Sequence, residues 1–182
     1  MTTKISSQLF PRLTQIFAIA SLTALTTIPV ISQPSYAGDT KFYCDTQNGK
    51  YFTFAKTEDR SKSQIIGWTS TDFPPPYNPK YRCQVVSERF QRNYDNGTLK
   101  VISTGIVNRQ PVICSGSNSS TVCNSSNLLF TLKSGVNRKA VANRLFNENA
   151  LADGKIPTFN SNADDIMFDF DIYLKYLQSE KK

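Results

Sequence analysis

The side chains able to do chemistry in this 182-residue chain are few, and histidine is absent. Without imidazole there is no Cys–His pair and no Ser–His–Asp triad. Four cysteines remain, Cys44, Cys83, Cys114 and Cys123, with scattered carboxylates and an excess of cations. In "YRCQVVSERFQ", Cys83 stands at the start of a helical pattern, flanked by Arg82 and backed by Arg89. A helix N-terminus and an arginine lower a thiol's pKa, so a thiolate nucleophile is one reading. A zinc ligand is another, but such sites normally show close C-x₂₋₄-C pairs. Here the closest two cysteines have eight residues between them. A disulfide fits best. Cys114 and Cys123 bracket a Ser/Asn loop, and pairing them leaves Cys44 for Cys83. Loop closure makes the two bridges worth about 3 and about 4 kcal/mol.

The carboxylates offer two further chemistries. Asp72, Glu88, Asp95 and the aspartates near the C-terminus could supply the paired acids of a hydrolase, which need a set separation and different pKa values. Calcium is the other. "NSNADDIMFDFD" puts Asn160, Asn162, Asp164 and Asp171 at positions one, three, five and twelve of a calcium loop. The match is poor: Asp165 stands where that loop wants glycine, and position twelve lacks the bidentate Glu. The competing reading is a short strand, with Ile166, Phe168 and Phe170 alternating inward and Asp169 outward, then a helix capped by Asp171. No cofactor is expected.

The cations carry more weight. Arg82, Arg89, Arg92, Arg138, Lys139 and Arg144 lie on or beside two helical patterns, and helices docked on one side of a sheet would present a cationic face. An anionic membrane surface or an acidic envelope polymer would suit it. Nucleic acid could use the same charge, but export argues against it and the aromatic motif of an RRM is missing.

Export is read from the N-terminus. Lys4 and Arg12 precede an apolar stretch from Ile16 to Ile31, and "SQPSYAGDT" has Ser35 and Ala37 at the −3 and −1 positions of a cleavage site. The apolar stretch is 16 residues, broken by Pro29, whereas a spanning helix needs about 20. Residues 1–37 are therefore expected to be a cleaved signal peptide. The expected destination is periplasm, cell envelope or thylakoid lumen, where an even cysteine count favours bridges. Cleavage leaves a net charge of +5, with +8 in residues 38–147 and −3 in residues 148–182.

The elements that position these groups follow from local pattern. "KFYCDTQNGKYFTFAK" is a hairpin turning at Asn48-Gly49, and "SQIIGWTS" is a strand ending at Trp68. Prolines make "TDFPPPYNPKY" an extended loop. Cys83, Val86 and Phe90 form one helical face, and Asn96-Gly97 ends that helix. A second hairpin turns at "VNRQ". The Ser/Asn loop leads to the strand "LLFTL". "NRKAVANRLFN" is a helix with Val141 and Leu145 on one side and Arg138 and Arg144 outward. Residues 148–163 read as a loop. This is a single α+β domain over residues 38–182, with a core at 40–147 and an acidic tail at 148–182. Its small antiparallel sheet is built of hairpins, with two or three short helices and disulfide staples.

Several of these segments also look familiar together. "FYC", "IIGWTSTDF", "RCQVVSERFQ…YDNGTL", "RQPVIC" and a cysteine followed by "LLFTL" resemble the circadian oscillating protein family of cyanobacteria. The resemblance covers roughly residues 40–146, with the tail "IMFDFDIYLKYL" in the same style. It implies an exported protein of a photosynthetic bacterium and allows peripheral membrane association. It carries no catalytic residue onto this chain. The function expected is therefore a non-catalytic binding or structural one, with the hydrolase and the calcium-responsive module as alternatives.

Overall fold

The computed structural model describes residues 40–58, 60–146, 151, 154–159 and 163–180. Residues 1–39, where the signal peptide and its cleavage site are expected, lie outside the described residues, as do Asn160 and Asn162.

The chain opens with a three-stranded antiparallel sheet of β1 (Lys41–Gln47), β2 (Lys50–Lys56) and β3 (Lys62–Trp68). Asn48 and Gly49 turn its first hairpin at φ values of 52° and 73°, the left-handed geometry that favours Asn-Gly. Helix α1 (Pro79–Asp95) follows the proline loop. Asn78 accepts a hydrogen bond from the Tyr81 amide at 2.9 Å, and Pro79 sits in the first turn, where its missing N–H costs nothing.

The remaining strands form a second antiparallel sheet. Its members are β4 (Val101–Val107), β5 (Gln110–Gly116), β6 (Leu128–Thr131), β7 (Thr158–Phe159) and β8 (Met167–Asp169), in the order β6-β5-β4-β8-β7. The antiparallel hairpins of an α+β fold are present, with the strands divided between two sheets. Two further helices among the described residues are α2 (Arg138–Leu145) and α3 (Phe170–Ser179). The stretch expected to be only loop, residues 148–163, contributes β7 and buries Leu151 and Ile156.

One core joins the layers. Phe42, Ile66 and Trp68 from the first sheet meet Val86 and Phe90 of α1 and Ile102, Ile113 and Phe168 of the second sheet. Aromatic packing is dense around Phe170, whose ring lies 5.7 Å from Phe90 and 5.8 Å from Tyr173. A buried polar chain ties α1 to the first sheet: Trp68 Nε1 donates to Thr53 Oγ1 at 3.0 Å, and that hydroxyl bonds Ser87 Oγ at 2.9 Å. Every buried polar group in it is paired, as a stable interior requires.

The structure moves one cap. Asp169, not Asp171, caps α3, accepting from the Ile172 amide at 2.8 Å. Strand β8 pairs with β4 only from Val101 to Ser103, so the chain leaves the sheet at Asp169 and the cap falls two residues before the expected one. Asp171 lies in the first turn and accepts from Lys100 Nζ at 3.1 Å.

Candidate functional site

The bridges pair Cys44 with Cys83 and Cys114 with Cys123, with Cα separations of 5.4 and 5.7 Å. The first fastens β1 to the start of α1. The second folds the Ser/Asn loop over the outer face of the second sheet, where Cys123 lies on Gly105. Disulfides persist in oxidising compartments, so this oxidised fold belongs outside a reducing cytoplasm. Among the described residues no helix is long and apolar enough to cross a membrane.

The six cations nominated on the helices have different surroundings. Arg92 and Arg144 are exposed in the last turns of α1 and α2, where they complement the helix dipoles. Lys139 is half-buried, its amide bonded to the Asp164 carbonyl. Arg138 was expected outward. Instead its guanidinium donates to Asp165 through Nε at 2.6 Å and Nη2 at 2.8 Å. Asp165 also accepts from Thr104 Oγ1 at 2.9 Å, which fixes α2 against the chain entering β8. Arg89 donates to the carbonyl of Leu129 at 2.7 Å. That residue is the extra one in a bulge of β6, where Leu128 and Phe130 oppose consecutive residues of β5. The bulge orphans a carbonyl, and the guanidinium satisfies it.

Arg82 is different again. Its guanidinium lies 4.0 Å from the Phe73 ring and 4.8 Å from the Trp68 ring. Burial draws its pKa below the usual arginine value. It lines a groove of about 640 Å³ between the proline loop, α1 and β6.

The nominated carboxylates are dispersed. Asp72 approaches Lys133 Nζ at 3.6 Å, and Asp95 accepts from Gln91 at 2.7 Å. Glu88 is exposed on α1. Asp164 accepts from Asn137 at 3.3 Å beside α2, while Asp171 is engaged with Lys100. Among the described residues no cluster of three acids, cysteines or histidines is arranged to hold a metal ion.

A cationic surface that the sequence reading did not nominate lies on the outer face of the first sheet. Alternation turns Phe42 and Cys44 inward and Lys41, Tyr43 and Asp45 outward. The register sets Lys41 opposite Lys56, and Lys56 opposite Lys62. Lys50, at the other end of β2, faces the same way, and all four lysines are exposed. Asp45 accepts from Lys62 Nζ at 2.8 Å, a bond that lowers the carboxyl's pKa and raises the amine's. Between the lysines run Tyr43, Phe54 and Phe52, with Lys62 Nζ 3.8 Å above the Phe54 ring. Phe52 lies over Gly67, where a β-carbon would meet its ring at 3.0 Å.

Residues 41–175 match the family model described as Circadian oscillating protein COP23. The chain belongs to the COP23 family. No curated protein and no solved structure matches it. In this COP23 protein the matched region spans both bridges, the lysine-bearing sheet and the Arg82 groove. The signal that could have found the sheet face was the spacing of Lys41, Tyr43 and Asp45 on one side of a strand, read together with the hairpin register.

Proposed function

We propose that this COP23 protein is a non-catalytic, exported component that attaches peripherally to an anionic membrane surface through the outer face of its first sheet. The observation that carries this reading is the row Lys41, Lys56 and Lys62, side by side across β1, β2 and β3. Like charges directly opposite one another destabilise a sheet, and a negative surface offsets that cost. Each lysine near an anionic leaflet contributes about 1 kcal/mol, screened by salt. The half-exposed rings of Tyr43 and Phe52 supply the apolar contact of an interfacial side chain. Arg92, Arg144 and Lys139 of the two helices add cations outside the sheet. Exported in oxidised form, the protein works in the periplasm or the thylakoid lumen.

Sedimentation of the oxidised protein with phosphatidylglycerol and phosphatidylcholine vesicles tests the reading. Binding to the anionic vesicles alone, released by high salt, is the expected result. Absence of binding at low salt would remove the membrane and leave an acidic envelope polymer as the partner to test.

A further inference from the structure

We propose that the groove between the proline loop, α1 and β6 is a binding site for a small amphiphilic carboxylate, with the Arg82 guanidinium as its anion anchor. The Phe73 and Trp68 rings lie 4.0 and 4.8 Å from the guanidinium carbon, and a cation–π contact of this kind consumes none of the guanidinium's N–H donors. Among the described residues no carboxylate lies within ion-pair distance of Arg82; Asp72, near in sequence and on the same groove, pairs with Lys133 instead. A half-buried, preorganised fork without a counter-ion is the geometry that takes a carboxylate in two parallel hydrogen bonds.

The rest of the groove fits an apolar body attached to that group. Val85, Phe130 and Leu132 wall it, and Phe130 packs at 5.3 Å against the Trp68 ring that supports Arg82. Tyr77 and Tyr81 stand at the mouth, 50% and 40% exposed, and add aromatic surface to the apolar wall. The volume of about 640 Å³ lies within the roughly 300–1,000 Å³ of small-molecule sites. Charge complementarity therefore selects an anion, and the wall selects an amphiphile.

Trp68, the single tryptophan of the chain, lies against the anchor and reports on occupancy. Laurate, kept below its micellar concentration, is titrated into the oxidised protein and followed by tryptophan emission and by calorimetry, with no vesicles present. The expected result is a saturable one-to-one change. Dodecanol, with the same chain and no charge, should bind about tenfold more weakly or worse, as should laurate to Arg82→Met. Val85→Phe fills the groove from a half-buried position and should weaken laurate similarly with an unchanged thermal melt. No saturable laurate binding, equal affinity for dodecanol, or full laurate affinity in Arg82→Met would each overturn the proposal. If Arg82→Met lowers the melt, Val85→Phe and the dodecanol comparison decide alone.

Discussion

Lys41 stands directly opposite Lys56 across the β1–β2 pair, and Lys62 extends the row to β3. Among the described residues, only Lys62 in this row has a carboxylate at hydrogen-bond distance, Asp45 at 2.8 Å. Lys56→Gln should therefore stabilise the isolated protein by a few tenths of a kcal/mol, since directly opposed like charges cost about 0.2–1 kcal/mol. The same change should weaken anionic-vesicle binding. Thermal melts at low and high salt check the first half: the variant's advantage should shrink as salt rises.

Asp165 joins three elements by accepting from Arg138 and Thr104. Its carboxylate is partly shielded, and a charge-assisted bidentate pair in such a place exceeds an exposed salt bridge. Asp165→Asn should cost about 1–3 kcal/mol in urea unfolding. An equal stability would show that Arg138 is held by packing alone.

Tyr173 is buried against Phe146, Phe168 and Phe170. Burial disfavours its phenolate and raises its pKa above the ordinary 10.0. The raised value makes the stability contribution complete below the unfolded pKa. It falls as pH rises above that value, because only the unfolded chain releases the proton. Unfolding midpoints should begin to decline as pH passes about 10, the reference phenol pKa, and keep falling above it. Tyr173→Phe should flatten part of that decline.

Gly105 has no room for a side chain. A β-carbon there would lie 2.7 Å from Cys123 Sγ, inside contact distance. Gly105→Ala should destabilise by about 1–3 kcal/mol, the usual cost of overpacking. In a Cys114→Ser/Cys123→Ser background, where the loop is no longer held down, the penalty should shrink. A double-mutant cycle in denaturant measures the coupling.

Local chemistry made much of the fold legible. Asn48-Gly49 announced its hairpin, and Cys83, Val86 and Phe90 announced the buried face of α1, because both depend on residues within a few positions of one another. The displaced features depend on distant partners. Arg138 turns inward because Asp165 waits 27 residues away, and the cap of α3 moved to Asp169 because β4 stops pairing there. The same distinction holds for the site. The arginines were visible on a helical pattern, but the ring that flanks Arg82 at Trp68 and the bulge carbonyl that takes Arg89 belong to other strands. The lysine row escaped notice because Lys41, Lys56 and Lys62 are adjacent only through the register of three strands. Gly105 gave no sign of the sulfur above it.

The most direct measurement compares two triple-site sets of neutral variants in vesicle sedimentation at low salt. Lys41→Gln, Lys56→Gln and Lys62→Gln together should abolish most binding to phosphatidylglycerol vesicles, while Arg92→Gln, Lys139→Gln and Arg144→Gln together should leave most of it. Loss of binding in the helix set with retention in the sheet set would contradict the assignment of the sheet as the membrane-facing surface.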